Sequence, residues 1–247
     1  MNDVRIGGEG GITMSQVGAR IGGEGARAMD GTDTNRARGD AEGRTIEPGV
    51  KGQGARVERT TRETRVQIEV ARGGGVADVR TGLPLFDHML ATLLRYAALD
   101  ARVEAAGDLR HHVIEDTSIA LAVAVRRLIP PTCARYGERT VPMDDALVQV
   151  AIDAGGRFFF RGRVPSRLYT HALRSFAEHA GLTLHVRVLR GGDRHHVHEA
   201  AFKGLGLALR AAMADEGAVF STKGSVRLSV EDTAKAGVAE GSCPRSA

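Results

Sequence analysis

Two copies of one short string carry most of the chemistry in this chain: His111-His112-x-x-Glu115 and His195-His196-x-x-Glu199. Each is preceded by a further histidine, His88 at 23 residues and His171 at 24. Imidazole and carboxylate are the donors that divalent transition metals take, and Mn, Fe, Zn and Ni all fit such a set. On a helix, positions i and i+4 stand nearly one above the other while i+1 is turned by about 100°. His111 and Glu115 then serve one ion while His112 turns towards another, and the second copy repeats the arrangement. Six imidazoles and two carboxylates give about four protein donors to each of two ions shared between the halves, and a six-coordinate ion keeps positions open for substrate or water. One such string alone is more often a solvated surface feature than a ligand set; the matched duplicate with matched upstream histidines is what makes a metal centre the better reading. His179, His185 and His198 have no counterparts in the other half and are read as structural or surface residues.

The elements that must position these groups repeat as well. A helix over Phe86 to Ala97, a strand over Leu99 to Ala106, a Gly107-Asp108 turn and a helix over His111 to Leu128 form one series. The second series is Arg167 to Ala180, Leu182 to Leu189, Gly191-Gly192-Asp193 and His195 to Met213. Ile114, Leu121, Val125 and Leu128 recur at helical spacing, as do Phe202, Leu205 and Leu209, whereas Leu182 to Val188 alternates like a half-buried strand.

With 247 residues, 42% apolar and 26% charged, the chain has material for a substantial core. Its length allows one large or two small domains. No run of about 18 apolar residues marks a membrane span, and no basic-then-apolar leader opens the sequence, so the expected compartment is the cytoplasm. Cys133 and Cys243 form neither a metal-spaced cluster nor a disulfide framework. The formal charge of +4 points weakly to a small anionic substrate. It favours nucleic acid less, since no basic run with interleaved aromatics occurs, and RNA binding through the Arg/Gly-containing extension is the weaker idea. Residues 1–54 hold 14 of the 32 glycines and no aromatic residue, and they are read as a disordered extension. They include the repeat Arg5-Ile-Gly-Gly-Glu-Gly and Arg20-Ile-Gly-Gly-Glu-Gly, and Met14 and Met29 are alternative starts. The expected organisation is an extension at 1–54, half-repeats at 55–143 and 144–226, and a polar tail at 227–247.

These strings, with Arg59-Thr-Thr-Arg-Glu-Thr64, Thr81-Gly-Leu-Pro-Leu-Phe-Asp-His-Met-Leu90, Gly107-Asp-Leu109, Val141-Pro-Met-Asp144 and Ser221-Thr-Lys-Gly224, resemble the imidazoleglycerol-phosphate dehydratase family of histidine biosynthesis. The resemblance runs from about Arg56 to Val226. It implies an α+β fold of two similar halves, each a four-stranded sheet with two helices, the helices packing between the sheets. It implies a manganese hydro-lyase with two ions per active site, assembled as a 24-subunit shell with sites between neighbouring chains. The metal ligands carried over are His88, His111, His112, Glu115, His171, His195, His196 and Glu199. Glu63, with His88 and Glu199, is the implied catalytic set, and Glu63, Arg135, Arg157, Lys203, Ser221 and Lys223 the implied substrate-binding set. Dehydrating imidazole glycerol phosphate to imidazole acetol phosphate requires removing a poorly acidic C–H proton and expelling hydroxide, work for Lewis-acid metals and a positioned acid.

The chain departs from the family pattern in three places. Three residues, commonly two of them acidic, are absent before His111, which removes carboxylates expected to orient the histidines. Tyr96-Ala97 stands where the family tends to have His-Gly, and Thr92 where it has Gln. A di-metal lyase or hydrolase acting on another phosphorylated small molecule is one alternative, and a non-catalytic metal-bound shell protein another.

Overall fold

The structure is a computed structural model and describes residues 54–218. Residues 1–53 of the expected extension, the tail, Ser221, Lys223 and Cys243 lie outside those residues.

Twelve elements follow one another as β-β-β-α-β-α performed twice. The first series is β1 (Gly54–Thr60), β2 (Thr64–Arg72), β3 (Ala77–Arg80), α1 (Pro84–Ala97), β4 (Leu99–Gly107) and α2 (Arg110–Leu128). The second is β5 (Tyr136–Met143), β6 (Ala146–Asp153), β7 (Phe159–Gly162), α3 (Arg167–Ala180), β8 (Thr183–Arg190) and α4 (Arg194–Ala212). The sheets are ordered β1-β2-β4-β3 and β5-β6-β8-β7. All pairings are antiparallel except β3 with β4 and β7 with β8, where an intervening helix provides the crossover that parallel neighbours need.

Sequence boundaries of the helices were close, and the shifts have local causes. Pro84 opens α1 two residues early, because proline's fixed φ suits a first helical position whose N–H is unused anyway. Ser166 caps α3 by accepting from the Tyr169 N–H, and Gly181 closes it in the left-handed region at φ 69°. The join between the halves differs from the expected 143/144. β5 pairs with β6 along its whole length, so it belongs to the second sheet and the join falls between α2 and β5. The expectation was anchored on the histidine-bearing helices, and the leading hairpin of each half carries no histidine.

Each sheet turns one face inward. Val66, Ile68 and Val70 on β2 and Val148, Val150 and Ile152 on β6 are buried at every second position, as a half-covered pleat requires. Their side chains join those of the four helices in one continuous core with the helices as the middle layer. Within that layer α1 packs on α4 and α2 on α3, so both main helix pairings are between halves. Gly206 allows the first pairing: a Cβ there would stand 2.4 Å from the Leu93 carbonyl oxygen on α1. Gly137 does the same between β5 and α4, where a Cβ would meet the Ala208 carbonyl oxygen at 2.0 Å. No described helix is long and apolar enough to cross a membrane.

Candidate metal centre

The helix pairing decides which donors meet. α2 and α4 begin at Arg110 and Arg194, so His111 and His195 lie in their first turns and Glu115 and Glu199 one turn further on the same face. α4 packs on α1, which brings His88 of the first half to His195 and Glu199 of the second. α2 packs on α3, which brings His171 of the second half to His111 and Glu115 of the first. The lone histidine of each half thus completes the trio of the other. Each trio therefore draws its donors from both halves.

The two trios have nearly the same geometry. His195 Nε2 and His88 Nε2 lie 3.2 and 3.4 Å from Glu199 Oε2. His111 Nε2 and His171 Nε2 each lie 3.2 Å from a Glu115 carboxylate oxygen. The imidazoles of each pair are close to parallel, at 11° and 5.8 Å for His88 with His195 and 19° and 5.4 Å for His111 with His171. In each trio the three donor atoms lie within 4.8 Å of one another.

These residues fit a metal ion. Bonds of roughly 2.0–2.2 Å from nitrogen or carboxylate to an ion place neighbouring donors roughly 3 to 3.5 Å apart, the separations found here. His171 Nε2 is the more telling atom, being buried with no hydrogen-bond partner while aimed at Glu115 and His111. A buried ring nitrogen without a partner is costly unless something else takes its lone pair. Glu199 is similarly enclosed. Burial pushes its carboxyl up, but hydrogen bonds from Lys203, at 2.9 Å, and His88 outweigh this and hold it below the usual carboxylate value.

His112 and His196 stand apart from both trios. The i+1 rotation turns their rings away, at 85° to His111 and 65° to His195. Asp108 holds His112 Nδ1 at 2.8 Å, with a Glu63 oxygen 3.5 Å away. Asp145 holds His196 Nδ1 at 2.8 Å and also accepts the Gly192 and Asp193 N–H groups. The two aspartates raise their histidines, and in return His196 and those backbone donors pull Asp145 down to about 2. The shortened approach to His111 was expected to leave the histidines without orienting carboxylates. Asp108, four residues before His112, fills that role. Asp145 was not found from sequence; it comes from the β5–β6 turn, and its only signal was the adjoining Val-Pro-Met-Asp string.

The expected substrate-binding residues are spread out. Glu63 is on the β1–β2 turn beside His112, its side chain 55% exposed. Lys203 faces Glu199, with its ammonium 5.8 Å from the centre of the Tyr96 ring. Arg135 makes a bidentate pair with Asp153 at 2.7 and 2.9 Å, and Arg157 follows β6 in the same corner. That corner is at the other end of the eight-residue β6 from Asp145, roughly 25 Å away at the rise of a strand. His198 is buried and accepts the Ser166 N–H, His179 Nδ1 lies 2.9 Å from the Ser175 carbonyl oxygen, and His185 stacks obliquely against Phe159.

Comparisons with known proteins agree with this architecture. A sequence model described as imidazoleglycerol-phosphate dehydratase matches residues 81–209. The imidazoleglycerol-phosphate dehydratase of Salinispora tropica is 43% identical over 199 residues, covering 70% of this chain and 98% of the relative. That of Azorhizobium caulinodans is 42% identical over 192 residues, again covering 70% and 98%. Among solved structures, the Pyrococcus furiosus enzyme in complex with (S)-C348 superposes with a TM-score of 0.61 at 36% identity, over 69% of this chain and all of that one. The Staphylococcus aureus enzyme gives 0.59 at 29% identity, over 65% and 98%. With the duplicated half, the crosswise trios and near-complete coverage of these relatives in agreement, the chain belongs to the imidazoleglycerol-phosphate dehydratase family, hydro-lyases of histidine biosynthesis.

Proposed function

We propose that this protein dehydrates imidazole glycerol phosphate to imidazole acetol phosphate, using two manganese ions per active site. The observation that carries this reading is the pair of crosswise His-His-Glu trios, one of them with a buried ring nitrogen that has no hydrogen-bond partner. His88, His195 and Glu199 would hold one ion, and His111, Glu115 and His171 the other. Bound there, the ions act as Lewis acids that stabilise negative charge in an imidazole ring.

The remaining steps belong to side chains. Glu63, exposed on its turn next to His112, serves as general acid and base. The hydroxyl departs with a proton as water, the adjacent C–H gives up its proton, and the resulting enol tautomerises to the ketone. His112 and His196, fixed through Nδ1 by Asp108 and Asp145, supply the fourth donors to centres of neighbouring chains. Arg135 and Arg157, at the far end of the second sheet, reach the phosphate of a substrate bound at an adjoining chain's trios, while Lys203 serves the substrate at its own chain's trio and Ser221 and Lys223 complete the set; arginine contributes a bidentate fork and lysine a point charge. Such sharing requires a homo-oligomer, and the 24-subunit shell is the assembly we infer.

The test is turnover of imidazole glycerol phosphate by the metal-loaded, assembled protein, abolished by chelation and restored by Mn²⁺. Glu63→Gln is expected to retain metal content and assembly while losing turnover. An assembled, manganese-loaded preparation with no dehydratase activity would overturn the reading.

A further inference from the structure

The two hairpin turns that face the metal-bearing helices, Thr61 to Glu63 in the first half and Asp144-Asp145 in the second, are pseudo-equivalent in the fold but differently secured. In the second, Asp145 spends its carboxylate on two backbone N–H groups and His196, so it has become part of the scaffold. In the first, Glu63 makes no such bonds, and the turn is secured by its neighbours. Thr61 Oγ1 accepts the N–H groups of Glu63 and Thr64 at 3.1 and 3.0 Å. The Thr64 hydroxyl donates to Asp116, and since that uses its only proton, the Thr61 hydroxyl must donate to Thr64 Oγ1 across 3.1 Å. Arg59 closes the far side of Asp116 with two contacts of 2.9 Å.

Asp116 and Thr64 are 8% and 4% exposed, so the central link lies in a nearly dry region that strengthens it, with Thr61 and Arg59 at the more accessible ends. Asp116 follows Glu115 directly on α2. In α4 the residue after Glu199 is Ala200, and no such latch exists.

We propose that Asp116 and Thr64 are positioning residues for Glu63, a latch that registers the β1–β2 turn against the helix carrying His111 and Glu115. The latch leaves the Glu63 carboxylate free while fixing its backbone, and it confines the acid-base role to the first of the two pseudo-equivalent turns. The inference rests on Glu63 being the general acid/base of the proposed dehydration.

The experiment is a double-mutant cycle in the assembled, manganese-loaded protein. Thr64→Val, close in shape but without the hydroxyl, is expected to lower kcat about 10- to 100-fold with KM and metal content little changed, the scale of a small misplacement of a reacting group. Thr64→Ser restores the hydroxyl and is expected to restore kcat. In a Glu63→Gln background, Thr64→Val is expected to cause no further loss, because a positioning residue has nothing left to position. Asp116→Asn, which offers an amide N–H₂ to one of the two donors, should follow Thr64→Val in both backgrounds. If Thr64→Val lowers kcat equally with and without Glu63, or if serine fails to rescue, the latch has no role in positioning. If Glu63→Gln alone leaves turnover unchanged, Glu63 is not the acid/base and both the inference and the reading beneath it fall.

Discussion

His198 gives the protein an acid sensitivity whose size follows from its surroundings. The side chain is 5% exposed, lies edge-on to Tyr169 at 4.9 Å and 84°, and accepts the Ser166 N–H at 3.0 Å through Nε2. Burial first, and then the charges of Arg194 and His195, pull its pKa from 6.5 down to about 4. The folded value is the lower one, so the fold favours the neutral ring. Its contribution is complete above the unfolded pKa of about 6.5 and is lost as pH falls from there through 4. A difference of roughly 2.5 pH units at about 1.4 kcal/mol each amounts to about 3 kcal/mol. Urea denaturation of chelator-treated protein between pH 7 and 4, wild type against His198→Gln, measures it; the comparison cancels the other histidines. Across the window the wild type should lose stability more steeply than the variant by up to about 1.4 kcal/mol per pH unit. Parallel curves would show that His198 takes up its proton in the folded state as readily as in the unfolded one, and the burial argument would be refuted.

Three further substitutions test the trios and their supports. His171→Ala should lose about half the bound metal by elemental analysis, because it dismantles one trio and leaves the other intact; full retention would remove His171 from the ligand set. Gly206→Ala forces a methyl towards the Leu93 carbonyl oxygen and should cost about 1–3 kcal/mol in denaturant midpoint analysis. The same change should weaken metal retention more at the His88 trio than at the His171 trio, detectable by combining it with His171→Ala. On the proposed role of His196, Asp145→Ala, which frees His196 and two backbone N–H groups, should raise about 10–100-fold the Mn²⁺ needed to load the protein, read by elemental analysis across a metal titration.

Much of this was legible in the chain because duplication repeats the signal. The helices after each HHxxE, the strands before them and the His-Glu pairs at i and i+4 could be read from spacing, since a periodic apolar face and an i, i+4 pair depend only on local geometry. The leading hairpins were not delimited: β1 alternates between exposed and half-buried positions without a fully buried face, and β5 is mostly exposed. The assignment of His88 to the second half's glutamate and His171 to the first's depends on which helices pack, a property of Gly206 and its surroundings that spacing does not record. Arg135 shows another limit: Asp153, 18 residues away, holds its guanidinium in a two-point contact, a partner that spacing does not record.

The crosswise donation of His88 and His171 has a consequence for ancestry. A polypeptide equal to one half would contain no complete trio of its own. It could build the same pair of centres only by associating as a twofold dimer in which each member lends its histidine to the other. Fusion of two such copies turns a dilution-sensitive encounter into a permanent tether. Once tethered, the members no longer need to be identical, and the free Glu63 and the committed Asp145 record how far equivalent turns have since drifted into separate duties.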